Sequence, residues 1–140
     1  MKNLSFLFAF ALLFTMSCND DDGGISLDVD DLTIRLSWNQ ADADLDLDLS
    51  LPNNTFIGSG STQHSGDVLS GPGEEVITLD DEALDGAYII QVEWFSGAGD
   101  VSYQLTVESQ GTSRTFDADI DAIIDIDLIN FTKTGGTLSF

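Results

Sequence analysis

Apolar and polar residues alternate with a period of two along most of the chain beyond residue 31. Leu32, Ile34, Leu36 and Trp38 alternate with Thr33, Arg35 and Ser37; Leu45, Leu47, Leu49 and Leu51 alternate with Asp46, Asp48 and Ser50. Successive side chains of a strand point to opposite faces, so each run predicts a half-buried strand. The apolar parity changes from even to odd across residues 39–44, which places a connection there. Further strands are predicted at residues 76–79, 87–95 and 101–107, the last two joined as a hairpin by Ser96-Gly97-Ala98-Gly99-Asp100. Glycine-containing turn signals recur at residues 58–60, 71–73, 85–86 and 135–136. Helical periodicity is missing from this part of the sequence. Short strands at this spacing predict an all-β fold, an antiparallel β-sandwich or jelly-roll-like domain over residues 32–140.

One stretch exaggerates the pattern. Across residues 117–128 every even position is apolar (Ala118, Ile120, Ala122, Ile124, Ile126, Leu128), and every odd one is Asp except Ile123. Twelve residues are long for one strand, so a bend or bulge is expected near Ile123, giving one or two strands with the even set packed. Aspartate is a poor strand former, but on a solvated face the packing of the opposite side decides.

The first residues follow a different rule. Met1-Lys2-Asn3 supplies a positive start, an apolar run of 13 residues extends from Leu4 to Met16, and Ser17 precedes the lone cysteine, Cys18. The run is shorter than the roughly 20 residues a spanning helix needs, so residues 1–17 read as a secretory signal peptide. Phe14-Thr15-Met16-Ser17-Cys18 resembles a bacterial lipoprotein box, with Thr15 where the usual Leu would stand. The resemblance implies cleavage before Cys18 and its lipidation. Residues 18–31 then form a lipidated, acidic tether, since Asn19-Asp20-Asp21-Asp22-Gly23-Gly24 cannot bury apolar area. That acidic stretch resembles the segment behind the lipidated cysteine in Bacteroidetes-type lipoproteins. It implies an outer-membrane, lipid-anchored protein displayed at the cell surface, or else a plain spacer.

Charge removes whole classes of partner. The 140 residues carry 25 Asp plus Glu against 4 Lys plus Arg, a formal net charge of -21. Such a chain repels phosphate backbones and anionic lipid, so nucleic acid is excluded as a partner and the membrane is reached only through the anchor. One Cys and one His cannot build a Cys/His zinc cluster, so a metal site must be made of oxygen. The acidity also suits solubility in salt water, at the cost of self-repulsion at low ionic strength.

The order of short motifs carries a further likeness. Leu36-Ser37-Trp38, Ala43-Asp44-Leu45-Asp46-Leu47 and Leu51-Pro52-Asn53 are followed by Glu74-Glu75-Val76-Ile77-Thr78-Leu79, a strand beginning Asp85-Gly86-Ala87-Tyr88, and Tyr103-Gln104-Leu105-Thr106-Val107. Together they resemble the bacterial pre-peptidase C-terminal domain and its relatives, small secreted β-sandwiches appended to hydrolases. The likeness covers about residues 32–110. It implies a binding or processing module without catalytic activity, and some relatives of this fold bind calcium near strand ends.

Among candidate sites, Asp42, Asp44, Asp46 and Asp48 stand first. Alternate residues of a strand share a face about 6.6 Å apart, where two carboxylates repel by about 2.5 kcal/mol at an effective dielectric of 20. A solvated row tolerates this; a partly buried one needs a cation. Calcium gathers six to eight oxygens, and Asn39 and the carbonyls before Asp44 are near in sequence, so these residues are read either as a calcium site or as a solvated acidic face. Asp117, Asp119, Asp121, Asp125 and Asp127 form a second, weaker candidate. His64 falls in a Gly/Ser-rich turn and is expected to be solvated, and no nucleophile elbow, phosphate loop or zinc-protease motif is present. Trp38 and Trp94 fall on apolar parity and are expected in the core, whereas Phe56 and Phe95, if exposed, could stack on sugars. The expectation is therefore a non-enzymatic, surface-anchored binding or structural module. Its extracellular ligand would be a protein or polysaccharide; the alternatives are a carbohydrate-binding module and, further off, a hydrolase using acidic residues.

Overall fold

The computed structural model describes residues 31–140 except 68, 70, 81, 82 and 123–125. The signal peptide, Cys18, the tether up to residue 30 and Asp125 lie outside the described residues. Among the described residues there are ten strands: β1 (Leu32–Trp38), β2 (Asp44–Ser50), β3 (Phe56–Ile57), β4 (His64–Ser65), β5 (Gly73–Leu79), β6 (Gly86–Ser96), β7 (Val101–Ser109), β8 (Thr112–Ile120), β9 (Ile126–Thr134) and β10 (Thr137–Ser139). They form two antiparallel sheets, β4-β5-β1-β7-β8 and β10-β9-β6-β2-β3, which is the β-sandwich the alternation predicts.

Alternation explains which side chains fill the space between the sheets. Leu32, Ile34, Leu36 and Trp38 of β1 are buried, as are Leu45, Leu47 and Leu49 of β2, and the core is completed by Ile77, Tyr88, Ile90, Val92, Leu105 and Val107 among others. Tyr88 stacks on Phe131 with ring centroids 4.9 Å apart. Trp38 is buried and Trp94 packs half-buried against the core, so both meet expectation. Trp38 Nε1 donates to the Gly71 carbonyl at 2.7 Å, which fixes the approach to β5.

Two expectations on pairing are corrected. β6 and β7 do not form a hairpin: β6 pairs with β2 and β9, and β7 with β1 and β8, so residues 97–100 cross between the sheets. Turn-forming residues allow a reversal but do not dictate that the flanking strands pair. The second correction concerns residues 117–128. Ile123, where a bend or bulge is expected, lies outside the described residues; β8 ends at Ile120 and β9 begins at Ile126, and the two lie in different sheets. In β8 the even set, Ala118 and Ile120, faces the core as expected. In β9 the parity inverts. Asp127, Ile129 and Phe131 stand opposite the buried Val92, Ile90 and Tyr88, while Ile126 and Leu128 are exposed. The register with β6, not the local alternation, decides which face is buried.

Candidate metal centre

β2 lies at a margin of its sheet for most of its length, because β3 pairs only with Leu49 and Ser50. The margin is closed from the other sheet. Glu75 of β5 shares the inward face of core residues Ile77 and Leu79, is fully buried, and its Oε2 accepts the Leu47 N–H at 2.7 Å. The same oxygen lies 3.0 Å from His64 Nε2, and His64's side chain is 98% enclosed. The expectation of a solvated His64 is thus overturned. β4 pairs His64 with Ile77 and so turns its ring to the core face beside Glu75.

Asp46, Asp67 and Glu75 each offer a carboxylate oxygen to one point, these atoms all lying within 4.8 Å of one another. Asp46 comes from β2 in one sheet, Glu75 from β5 in the other, and Asp67 from the segment after β4. Gly66 directly before it has φ +91°, and a side chain there would meet the Glu74 carbonyl, so only glycine lets the chain pass this close to β5. Ser59 Oγ donates to Asp67 Oδ2 at 2.8 Å. Glu75 Oε1 is buried with no hydrogen-bond partner among the described residues.

The electrostatics are unfavourable without a cation. Burial pushes the Asp46 carboxyl up to about 6, helped by the charges of Asp44, Asp48, Asp67 and Glu93. Burial likewise raises Glu75, against the opposing hydrogen bonds from Leu47 and His64. Two ionised carboxylates with oxygens no more than 4.8 Å apart repel by about 3.5 kcal/mol or more at an effective dielectric of 20. Calcium–oxygen distances of about 2.3–2.6 Å place opposite ligands about 4.6–5.2 Å apart, whereas magnesium draws them to about 4.0–4.2 Å. Oxygens that all lie within 4.8 Å of one another admit either ion, so the choice between the two is made by titration.

The four aspartates expected to act together are therefore divided. Asp46 belongs to the three-carboxylate group. Asp44 is buried with Oδ1 unpartnered and is raised by burial and then by Asp67, yet it is not one of the three. Asp48, half-buried, is raised by burial and by Glu93 while His64 opposes this. Asp42 is exposed. Of the loop carbonyls considered, Gln40 O accepts from Ala43 N, and Ala43 O accepts from Gly71 N and Trp38 Nε1. Glu75 and Asp67 escaped sequence reasoning because their approach to Asp46 depends on the packing of the two sheets. The one available signal was Glu75 itself, a charge on the apolar parity of Ile77 and Leu79.

The second aspartate row is occupied by hydrogen bonds. Asp117 accepts from Gln104 Nε2 at 2.9 Å, Asp119 from Ser102 Oγ, and Asp127 from Tyr103 Oη at 3.0 Å. Phe56 and Phe95 are both exposed. Phe56 stands opposite Ser50, and Phe95 is the extra residue of a bulge beside Asp44 and Leu45. About five residue rises, roughly 17 Å, separate those positions along β2, so the two rings do not make one sugar platform. No known protein family matches the chain, and no curated protein or solved structure matches it either.

Proposed function

We propose that this β-sandwich is a non-catalytic, divalent-cation-binding module, with calcium as the cation, carried on a lipid anchor at Cys18. The observation that supports the cation is the convergence of Asp46, Asp67 and Glu75, with Glu75 Oε1 buried and unpartnered. A buried carboxylate oxygen without a donor is costly unless a proton or a cation meets it. The anchor rests on the apolar run that ends just ahead of Ser17-Cys18 and on the acidic residues behind it. The likeness to pre-peptidase C-terminal domains belongs to the same reading, as a binding or structural role on the outer surface.

The test is thermal unfolding at fixed ionic strength. Calcium should raise the melting temperature more than magnesium, and Asp46→Asn or Asp67→Asn should abolish the difference. Equal responses to both ions in wild type and variants would reduce the cluster to a screened acidic surface. For the anchor, Cys18→Ala should release the protein from the membrane fraction; unchanged fractionation would remove lipidation from the proposal.

A further inference from the structure

The segment that leaves one sheet at β3 and enters the other at β4 is weakly held at both ends. β3 contributes two register pairs to β2, Leu49 with Ile57 and Ser50 with Phe56. β4 contributes two to β5, His64 with Ile77 and Ser65 with Val76. Between them the chain hydrogen-bonds mainly to itself, Ser61 N to Gly58 O at 3.0 Å and His64 N to Ser61 O at 3.1 Å, with Thr78 N to Gln63 O at 2.9 Å as a tie to β5. Ile57 is its buried hydrophobic residue. Short pairing and little apolar burial define the part of a fold that opens first.

The three carboxylates surround this segment. Asp46 stands on the sheet it leaves, Glu75 on the sheet it joins, and Asp67 lies at its far end. Glu75 also contacts His64 within the segment and Leu47 on the opposite sheet.

We infer that a calcium ion at Asp46, Asp67 and Glu75 is a clasp that locks the crossover, residues 56–67, onto both sheets at once. This rests on the cation site proposed above. Opening the crossover carries Asp67 away and disperses the ligands, so the ion binds the closed arrangement alone. The open population then falls by the factor 1 + [Ca]/Kd, about a hundredfold at a hundredfold excess over Kd.

Amide hydrogen exchange on the full β-sandwich, with and without calcium chloride at constant ionic strength, reads this directly. Leu47 and residues 57–67 should exchange about a hundredfold more slowly at a hundredfold excess of calcium over Kd. Asp67→Asn should return them to the cation-free rates. If calcium slows the amides at the centre of β1 and β7 but leaves residues 57–67 unchanged, the segment opens with the ion in place and the clasp is overturned while the site survives. If titration shows no calcium binding and no amide responds, the site falls and the clasp falls with it.

Discussion

Glu75 Oε2 accepts the backbone N–H of Leu47 across the margin of the sandwich at 2.7 Å, so one side chain does the work of a missing neighbour strand. The two substitutions at this position separate hydrogen bonding from charge. Glu75→Ala leaves a buried N–H without an acceptor and removes the partner of His64, and should destabilise by about 1–3 kcal/mol in urea unfolding. Glu75→Gln keeps an acceptor of the same size and removes a buried charge, so cation-free stability should hold or rise while calcium stabilisation disappears. A glutamine variant as unstable as the alanine variant would show that the charge itself secures β2.

The cation-free protein should lose stability as pH rises from about 4 to 6. Asp46 titrates near 6 in the fold, chiefly through burial, against an ordinary value of 3.8. Asp44, Asp48 and Glu75 are shifted in the same direction. A carboxyl raised in this way binds its proton more tightly when folded than when unfolded. Its stabilising contribution is complete below the unfolded value and is lost as pH passes through the folded one. Because the overall negative charge acts in the same sense, the comparison is with Asp46→Asn, whose urea midpoint should fall less across this window. Identical slopes for the two proteins would remove Asp46 as the titrating group.

Gly73 is pressed against Trp38. A Cβ there would lie 2.3 Å from Cζ2 of the ring, and the ring is held by its bond to Gly71 O and its burial among β1, β5 and β7. Gly73→Ala should therefore destabilise by about 1–3 kcal/mol as overpacking. Trp38→Phe keeps much of the apolar bulk but loses the indole donor, leaving Gly71 O to find another partner. Since β5 carries Glu75, both variants should also weaken calcium binding in titration calorimetry. A Gly73→Ala protein of wild-type stability would show that the ring can move.

The sheets were largely legible from alternation because burial on one face imposes period two, and this held for β1, β2, β6, β7, residues 76–79 of β5 and the last four residues of β8. The strands it missed, β3, β4 and β10, are two or three residues long and hold no full period. Tertiary pairing hid the rest. His64 lies in a stretch of turn formers yet is buried because β4 sets it beside Glu75. Lys133 is fully buried without any signal in the local pattern, and its Nζ donates to Ala83 O at 3.0 Å and Asp85 Oδ1 at 3.3 Å. Asp46 was legible as a candidate ligand from its own strand, but its two partners arrive from elsewhere in the fold.

The inverted parity of β9 yields the sharpest separation between sequence and structure. Leu128 ends a run in which every even position is apolar, so alternation alone places it in the core and Asp127 outside. The register instead sets Leu128 opposite half-buried Gln91, leaving it 59% exposed, while Phe131 stacks on Tyr88 and is 3% exposed. Leu128→Ser should thus change stability by no more than about 0.5 kcal/mol, the range of ordinary surface substitutions. Phe131→Ala empties a packed aromatic site and should cost about 3–5 kcal/mol. Asp127 gives the complementary check, because it accepts the Tyr103 hydroxyl at 3.0 Å on the inward side and helps raise the pKa of that phenol, which burial raises most. Tyr103→Phe should cost about 1–3 kcal/mol by leaving the Asp127 carboxylate without its donor, and less in Asp127→Asn, where the unpaired group is neutral. If Leu128→Ser proved as damaging as Phe131→Ala, β9 would have to be turned over by one residue against β6.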